Sequence, residues 1–507
     1  MRDYLAKRPM LLCSIICCFI SVVGFYSNKS LILYGILTAI IIGGLFFYKA
    51  KPEFIFVGVF VFIMILSTVN ITAKIKNQTK LDGLFSTAEA VVVQTENKNN
   101  YSVAVVEITE SDIIASGSKI NAYCYGETLK VGDYIKADFN LSKIENPYKA
   151  SFYSNKIFLT ANISDVSVLD KKDNLLVFFE DIREYIRKTI FSNTDYAEAS
   201  TITALVFGDK SYFTNNFYVS VKRAGVAHSM VVSGMHLAII VSLFTKSFEK
   251  FIYNRFLRGF TILAVVIILT AVCGFTMSMF RAGGTYIVAA LGLMLNKDNT
   301  SENALGTATS VALIISPFAI FNVGFRLSVL STFGILSVAL PICDYIKRKE
   351  LLKFKISQTI LFAFIINVSA TLFTMPTLIN TYGEISIVSI IANLMISYFI
   401  TLLLCFSVSA LIINPIIPLI SETIFSLCNL LAKIVNKIIE FFGGLSFSSV
   451  KVSKYVSLAS ITLIFIIFYM MAKVKEGEDK IKRELVLEKI YKDAKNYKSK
   501  RYFNIKK

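Results

Sequence analysis

The amino-acid sequence predicts a polytopic α-helical membrane protein of about twelve spans, with a short re-entrant run among them, and one small β domain outside the membrane. Hydrophobic residues make up 55% of the 507 residues, whereas only 17% are charged. Soluble proteins average about 25% charged residues. Apolar runs of spanning length recur along most of the chain, and a polar, valine-rich segment interrupts them.

The first predicted domain, residues 1–73, contains three apolar runs that are expected to cross the membrane. Basic residues precede the first run and separate the second (30–48) from the third (54–73). Because positively charged loops favour the cytoplasmic side, the N-terminus is expected in the cytoplasm. The third span would then deliver the following segment to the outside.

The second predicted domain, residues 74–172, has short Val-rich segments in place of apolar spans. Residues 88–94, 101–107 and 130–139 alternate apolar and polar side chains, and turn residues separate them. Strands of this length and alternation predict a small β-barrel or sandwich. Five short strands fit an OB-like barrel.

Three further regions complete the predicted organisation. Residues 173–224 are expected to form amphipathic helices along the membrane face. Residues 225–473 contain nine apolar runs, of which 283–296 is shorter than the roughly 20 residues that a span needs and fits a re-entrant segment. Residues 474–507 form a basic tail, expected on the cytoplasmic side with the N-terminus and able to touch anionic lipid.

The composition argues against metal and cofactor chemistry. The eight cysteines are scattered without a C-x-x-C pair, and only two histidines occur, with no Asp or Glu between them. Most zinc sites need three or four ligands, so we predict no metal site and no cofactor. The chain also has no phosphate-binding Gly-x-x-x-x-Gly-Lys-Ser/Thr loop, so any energy for transport must come from elsewhere.

The two histidines, His228 and His236, lie close together at the start of a long apolar run. A helix through this stretch would place Ser229, Ser233 and His236 on one face, and Gly234 would permit a kink or a close backbone approach. Such polar groups often bond neighbouring membrane helices. A catalytic Ser–His pair, as in intramembrane serine proteases, is the alternative, although the Gly-x-Ser-Gly motif of those enzymes lacks its first glycine here.

Several basic residues near the ends of apolar runs could line an anionic path. They include Lys210, Arg223, Arg281 and Arg326, and Asp209 is a candidate partner for Lys210. Charges near bilayer depth are costly, so they tend to face a partner or an aqueous passage. The formal charge of +18 fits either basic cytoplasmic loops or a protein that handles a polyanion.

These motifs resemble the ComEC family, the membrane channel of bacterial DNA uptake. The central match is His228-Ser-Met-Val-Val-Ser-Gly-Met-His236, which is similar to the family's His-Leu-Leu-Ala-Val-Ser-Gly-Leu-His. The supporting segments are Ala204-Leu-Val-Phe-Gly208-Asp209, Ser278-Met-Phe-Arg281-Ala282, Ser316-Pro317 with Gly324-Phe-Arg326-Leu-Ser328, Tyr382-Gly-Glu-Ile-Ser386 with Asn393, and Asn146-Pro147 with Phe152-Tyr.

The resemblance implies a channel, not an enzyme, that passes single-stranded DNA into the cytoplasm across the bacterial cell membrane. Arg223, Arg281 and Arg326 would offset the desolvation of phosphates. The face carrying His228, Ser233, Gly234 and His236 would line or gate the path, with Gly208, Asp209, Lys210 and Asn393 as supporting motif residues. Tyr101, Tyr123 and Tyr125 are the candidate stacking residues of the outer domain.

The resemblance also implies partners and shows one departure. A separate DNA receptor, a nuclease and a cytoplasmic helicase-type ATPase are expected, besides membrane lipid. Many members continue into a metallo-β-lactamase-like domain, which we expect to be absent because no histidine follows His236. Arg326 also replaces the family's glutamine. Two other functions stay open on the sequence: an intramembrane Ser/His hydrolase, and a transporter of a small anionic solute.

Overall fold

The structure is a computed structural model with two regions, a five-stranded β-barrel and a bundle of α-helices. It describes residues 7–27, 52–97, 101–125, 128–145, 149–171, 175–230, 234–248, 254–274, 276–296, 300–350, 354–453, 455–474 and 477. The second predicted apolar run (30–48), Asn146 and Pro147, Ser233, and residues 478–507 of the predicted tail lie outside the described residues.

The barrel confirms the predicted small β domain. Its strands are β1 (Phe85–Asn97), β2 (Tyr101–Ser111), β3 (Lys119–Tyr125), β4 (Asp133–Lys143) and β5 (Ile157–Lys171). The strand order is β1-β2-β3-β5-β4, and β1 pairs with β4 to close the barrel. Only β3 and β5 run parallel among these pairs. This is the OB-like arrangement that the strand pattern predicts.

Strict alternation of side chains builds the interior of the barrel. In β2, Ser102, Ala104, Val106 and Ile108 point inward, whereas the intervening residues face outward. Alanines from the other four strands and Phe139 of β4 fill much of the remaining core. Small side chains suit the narrow interior that five strands enclose.

The structure describes sixteen α-helices, of which α3 belongs to the barrel domain, between β4 and β5, and the others belong to the bundle or its connections. They are α1 (Pro9–Ser27), α2 (Pro52–Gln78), α3 (Lys149–Ser154), α4 (Leu175–Asn193), α5 (Tyr196–Phe207), α6 (Asn215–Arg223), α7 (Gly234–Phe248), α8 (Arg255–Val272), α9 (Met277–Met294), α10 (Ser301–Ile315), α11 (Val323–Gly334), α12 (Leu340–Arg348), α13 (Lys355–Tyr382), α14 (Ser389–Ile413), α15 (Pro418–Gly444) and α16 (Tyr455–Val474). Two short strands, β6 (Glu384–Ser386) and β7 (Ser449–Lys451), pair with each other.

Eight described helical segments are long and apolar enough to cross a membrane, so the chain is a multi-pass membrane protein. The prediction of about twelve spans exceeds this number within the described residues. A π-helical stretch, Ile335–Ala339, joins α11 to α12 into one of the eight. Helix α9 spans 18 residues and is longer than the predicted short run 283–296, whereas a turn at Gly274 ends α8 and a turn after Ser316 ends α10.

Helix α5 differs from the predicted amphipathic helices of residues 173–224. Nearly all of its residues are buried, including Glu198 and Thr203, and it packs against α14 and α15. Its sequence has small and hydroxylated residues on every side, which allows close packing all round. Helix α5 is therefore part of the core of the bundle and does not lie on its surface.

The barrel rests on the ends of the first membrane helices. Phe25 of α1 and Ile71 of α2 pack with Tyr153 and Phe158 of the barrel and with Phe318, which follows α10. In addition, the Ser316 hydroxyl donates a hydrogen bond to the carbonyl of Ser154, at 2.9 Å. Two segments that carry the sequence resemblance, around Phe152 and around Ser316, thus meet at this junction.

Helices α1 and α10 run parallel, and their ends define the two sides of the bundle. At the far side from the barrel, Arg8 pairs with Glu302 at 3.4 Å, and both side chains are buried. Leu11 packs there with Phe468 and Ala472 of α16. The beginning of α1 and the end of α16 therefore lie on the same side of the bundle, away from the barrel.

Candidate functional site

The segment between α6 and α7 forms a loop that one buried asparagine holds in place. Asn393 of α14 accepts a hydrogen bond from the Ser229 hydroxyl at 2.7 Å, and its amide donates to the carbonyl of Gly225 at 3.4 Å. A side chain on Gly225 would collide with Ser386 and Ser389. We call residues 224–230 the histidine loop. Its conformation depends on α14, far away in sequence.

The histidine loop corrects one sequence prediction. Residues 224–230 form turns, and helix α7 begins only at Gly234, so Ser229 does not share a helical face with His236. Ser233 lies outside the described residues, and its pairing with His236 stays a prediction. His228 is exposed on the loop, whereas His236 in the first turn of α7 is fully buried. The two imidazoles are near enough to interact electrostatically.

Arg281 of α9 is a buried cation. Its side chain is 3% exposed, and one terminal nitrogen, Nη2, donates a hydrogen bond to the Ser328 hydroxyl of α11. Its Nε has no hydrogen-bond partner among the residues that the structure describes. No carboxylate lies within ion-pair distance of this guanidinium among the described residues. A buried charge without a counter-ion is costly, which marks Arg281 as a functional candidate.

Arg281 also approaches the start of α7. A Cβ atom added to Gly234 would lie 3.1 Å from Nη2 of Arg281. Glycine at this position therefore allows the guanidinium to come against the first residue of the helix. The sequence predicts that Gly234 permits a close approach to the backbone, and in the structure the group that approaches is the Arg281 side chain.

Arg326 lies less than one helical turn before Ser328 on α11 and is half-buried. Its Nε is buried without a hydrogen-bond partner in the part of the chain that the structure describes. Because α11 begins beside the barrel junction, Arg326 lies near the barrel end of this helix. Residues two positions apart point to different faces of a helix, so Arg326 does not share a face with Ser328, the residue that Arg281 contacts.

Arg223, at the end of α6, is held by neighbouring polar groups. Its Nε donates to the Ser448 hydroxyl at 3.1 Å, and its Nη2 donates to the carbonyl of Leu445 at 2.8 Å. These bonds tie α6 to the end of α15. Much of the hydrogen-bonding capacity of Arg223 is therefore used within the protein.

The segment Gly208-Asp209-Lys210 forms the turn after α5. Gly208 ends the helix in a left-handed conformation, with φ of 82°, and its N–H donates to the carbonyl of Ala204. Asp209 accepts bonds from the backbone and hydroxyl of Ser211, at 3.0 and 2.6 Å. Asp209 and Lys210 are both described and form no ion pair. This motif has a local structural role in ending α5.

The three tyrosines suggested for base stacking lie together on the outside of the barrel. Tyr101 of β2 lies opposite Tyr125 of β3, and their ring centroids are 5.7 Å apart. Tyr123 lies 6.3 Å from Tyr101. Tyr125 is 65% exposed. We call these three residues the tyrosine face, which lies on the β2–β3 surface where OB-folds bind oligonucleotides and oligosaccharides.

The family model described as "Competence protein" matches residues 205–476, more than half of the chain. The protein belongs to the competence protein family. This confirms the resemblance to the ComEC family. The matched region contains the histidine loop, Asn393, Arg281 and Arg326, and the barrel precedes it.

Curated relatives agree with this family membership. ComE operon protein 3 of Bacillus subtilis is 21% identical over 295 residues, which are 58% of this chain and 36% of that protein. An uncharacterized protein of Mycoplasma genitalium is 29% identical over 124 residues, 24% of this chain and 32% of that protein. The chain thus aligns with about a third of the length of these relatives. No solved structure matches the chain.

Two partners of the competence-family site were not selected from the sequence. Ser328 accepts the bond from Arg281, and Ser448 accepts the bond from Arg223. Ser328 belongs to the Gly-Phe-Arg-Leu-Ser motif, so that motif could have suggested it. Ser448 lies in an ordinary Ser-rich turn that carries no such signal. Among the described residues, no group of three or more His, Cys, Asp or Glu side chains could hold a metal ion.

Proposed function

We propose that this protein takes part in competence as a membrane channel that passes single-stranded DNA towards the cytoplasm. The observation that carries the proposal is the competence-family match over residues 205–476, where buried Arg281 has no counter-ion among the described residues. A cation kept at bilayer depth suits an anionic substrate more than a structural role. The chain itself would transport the strand and would carry out no catalysis.

The barrel would hold the strand before it enters the bundle. Aromatic rings that project from a β-surface stack on bases without sequence preference, and each stacked base contributes about 1–3 kcal/mol. The tyrosine face offers such rings on the β2–β3 surface, and Tyr125 is largely open to solvent. The phosphate backbone would then continue past the barrel junction towards Arg326.

Within the bundle, Arg326 and Arg281 would accompany the phosphates, and the histidine loop would border the passage. His228 is exposed on this loop, and Asn393 fixes the loop from behind. Arg223 and the turn at Gly208, Asp209 and Lys210 would shape the surroundings of the path. Ser233 and His236 would take part in lining or gating it, with Gly234 between them.

The proposed setting is the bacterial cytoplasmic membrane, with the barrel outside and both chain ends in the cytoplasm. The packing of Leu11 with Phe468 and Ala472, on the side away from the barrel, supports this orientation. The functional division would be an N-terminal membrane part (1–73), an outer barrel (74–172), a connecting region (173–224), a channel region (225–473) and a basic tail (474–507). A DNA receptor, a nuclease and a helicase-type ATPase would be separate partners.

Uptake of end-labelled DNA tests this proposal in cells that express the native protein or variants at matched surface levels. Deletion of the gene should abolish internal label. A Tyr101→Ala/Tyr125→Ala variant should lower both surface-bound and internal label, since each lost stacking contact weakens binding about 5- to 150-fold.

Phe85→Ala is the matched control, because Phe85 is a 70% exposed aromatic residue on β1, outside the tyrosine face. It should leave uptake unchanged. Uptake that survives deletion of the gene would contradict the proposed function. Equal effects of the Phe85 and tyrosine variants would contradict the role of the tyrosine face alone.

A further inference from the structure

Basic and aromatic side chains from three segments meet at one end of the bundle. The Nζ atom of Lys222, on α6, lies 4.7 Å from the ring centroid of Tyr218 and 5.5 Å from that of Tyr382, the last residue of α13. Lys210, in the turn after α5, is near enough to interact electrostatically with both Lys222 and His228. We call these five residues the lysine–tyrosine cluster.

The lysine–tyrosine cluster lies on the barrel side of the bundle. Helix α16 ends beside Leu11, on the side away from the barrel. Because its 20 residues span about 30 Å, its start lies on the opposite side. There the Ser457 hydroxyl donates a hydrogen bond to the carbonyl of Pro376, at 3.4 Å, near the end of α13. Tyr382 ends α13, so the cluster around it lies on the same side as the barrel.

No carboxylate lies within ion-pair distance of either lysine of the cluster, among the residues that the structure describes. The acids closest in sequence are Asp209 and Glu384, which accept hydrogen bonds from Ser211 and Ser449. Burial and the charge of Lys222 lower the pKa of Lys210 below its usual 10.5. Like charges held close together without a counter-ion repel one another, and a bound anion would relieve this repulsion.

The two tyrosines of the cluster remain open to a ligand. Tyr218 is 38% exposed and Tyr382 is 46% exposed. Lys222 is itself exposed, and cation–π contacts at exposed sites are weak, so its ammonium can exchange the rings for a phosphate. Aromatic rings beside basic groups are typical of surfaces that bind single-stranded nucleic acid. A glycerophospholipid offers a phosphate but no flat ring, so the tyrosines favour a nucleic acid.

We infer that the lysine–tyrosine cluster is a binding site for single-stranded DNA, in which Lys210 and Lys222 bind phosphodiester groups and the two tyrosines stack on bases. This inference rests on the proposed function and adds a second DNA-binding surface to the tyrosine face of the barrel. A lysine ammonium is a compact charge on a flexible stem, so it binds a phosphate without a fixed orientation. Neither kind of contact depends on the base sequence.

The first test measures binding of an oligothymidylate to the full-length protein in phosphatidylcholine nanodiscs over a range of KCl concentrations. Each phosphate contact on a single strand contributes about 0.7 to the slope of log K against log salt. Lys222→Gln should lower the slope by about this amount, whereas Lys222→Arg should keep it. Lys355→Gln is the matched control, because it removes an exposed lysine from the opposite end of α13, and it should keep the native slope.

Lys210→Gln tests the second ammonium group and should lower the slope by a similar amount. Lys210 is half-buried, whereas Lys222 is exposed, so Lys222→Gln decides the question if Lys210→Gln fails to fold. A native slope in Lys222→Gln would overturn the inferred site.

A strand of the same length and charge but without bases tests the tyrosines. Tyr382→Leu should weaken the binding of oligothymidylate about 5- to 150-fold, because one stacked base is lost. The same variant should bind the abasic strand nearly as the native protein does. Tyr382→Phe keeps an aromatic ring and should bind both strands normally. Equal weakening for both strands in Tyr382→Leu would overturn the stacking role.

A phospholipid is the other source of a phosphodiester. Native mass spectrometry can count the phosphatidylglycerol that the protein retains. Lipid held by the native protein and lost from Lys222→Gln, together with a native slope for oligothymidylate, would overturn the DNA assignment.

The inferred site and the proposed function can fail separately. A lower slope in Lys222→Gln, together with DNA uptake that survives deletion of the gene, would support the site and contradict the proposed function. A native slope in Lys222→Gln, together with uptake that requires the gene, would overturn the site and support the proposed function.

Discussion

The barrel and the helical bundle place their polar groups in opposite ways. The barrel core consists almost wholly of apolar side chains, and its charged residues and tyrosine face lie on the outside. The bundle exposes large apolar side chains on its outer surface and buries Arg281, His236 and Asn393 inside. An aqueous domain thus offers a ligand its outer surface, whereas a membrane domain must offer its interior.

Under the proposed function, this difference indicates which surface of each region would contact DNA and what the loss of a contact would cost. On the barrel, a tyrosine can be lost without exposing the core, so only binding should suffer. In the bundle, the same groups that could bind a strand also hold helices together. Changes there should affect both stability and transport, and matched pairs of variants can separate the two effects.

The largest expected effect is the difference in the free energy of unfolding that is lost when one ion pair is broken in each region. Glu302→Gln should leave the buried Arg8 charge without its carboxylate and lower the free energy of unfolding by about 3–5 kcal/mol. The matched change in the barrel, Lys136→Met, breaks the exposed pair with Glu89 and should cost less than about 1 kcal/mol. Thermal unfolding in detergent measures both. Equal losses would refute the contrast between the regions.

A pair of adjacent glycines tests close packing in the bundle. A Cβ on Gly443 would lie 2.5 Å from the backbone oxygen of Ser220, so Gly443→Ala should destabilise the protein by about 2–3 kcal/mol. Gly444 has nothing within 4 Å, and Gly444→Ala should be neutral or slightly stabilising. The melting temperatures of the two variants provide the comparison. A stable Gly443→Ala would mean that α6 and α15 are packed less closely.

Asn393→Ala should release the histidine loop. It removes the acceptor of the Ser229 hydroxyl and the donor to Gly225, at an expected cost of about 2 kcal/mol. DNA uptake at matched surface levels should fall more than this loss of stability explains, because the loop borders the proposed path. Asn367→Ala is the control, since within the described part of the chain the Asn367 side chain bonds only the preceding turn of its own helix. Normal uptake by Asn393→Ala would argue that the loop plays no part in transport.

The smallest expected effect is a pH dependence of stability that comes from the exposed pair of Asp82 and Lys143 in the barrel region. Hydrogen bonds from the backbone and side chain of Lys143 lower the pKa of Asp82 below its usual 3.8. A lowered pKa in the folded state contributes stability above the unfolded pKa, which is lost as the pH falls through the folded pKa. The melting temperature should therefore fall slightly below pH 3.8, and Asp82→Asn should remove that part of the pH dependence. An unchanged pH profile in Asp82→Asn would contradict this.

Part of the candidate site could be predicted from the sequence. The scarcity of histidine directed attention to a segment that lies within the family match, and the motifs around Arg281 and Arg326 supported the family resemblance that the family model confirms. The predicted helical face of Ser229 and His236 was wrong, because the Asn393 contacts hold residues 224–230 in turns. An apolar run in sequence does not reveal where a helix begins when a distant side chain competes for its backbone.

The sequence alone determined that this is a membrane protein with an alternating β domain, because composition and periodicity depend only on local order. It also determined which residues could carry charge or stack on bases. The tertiary structure decided which of them act together. Arg281 meets Gly234 and Ser328, and Tyr101 meets Tyr125, only through helix packing and strand register. Burial and pairing arise between residues far apart in the chain, so no local pattern can encode them.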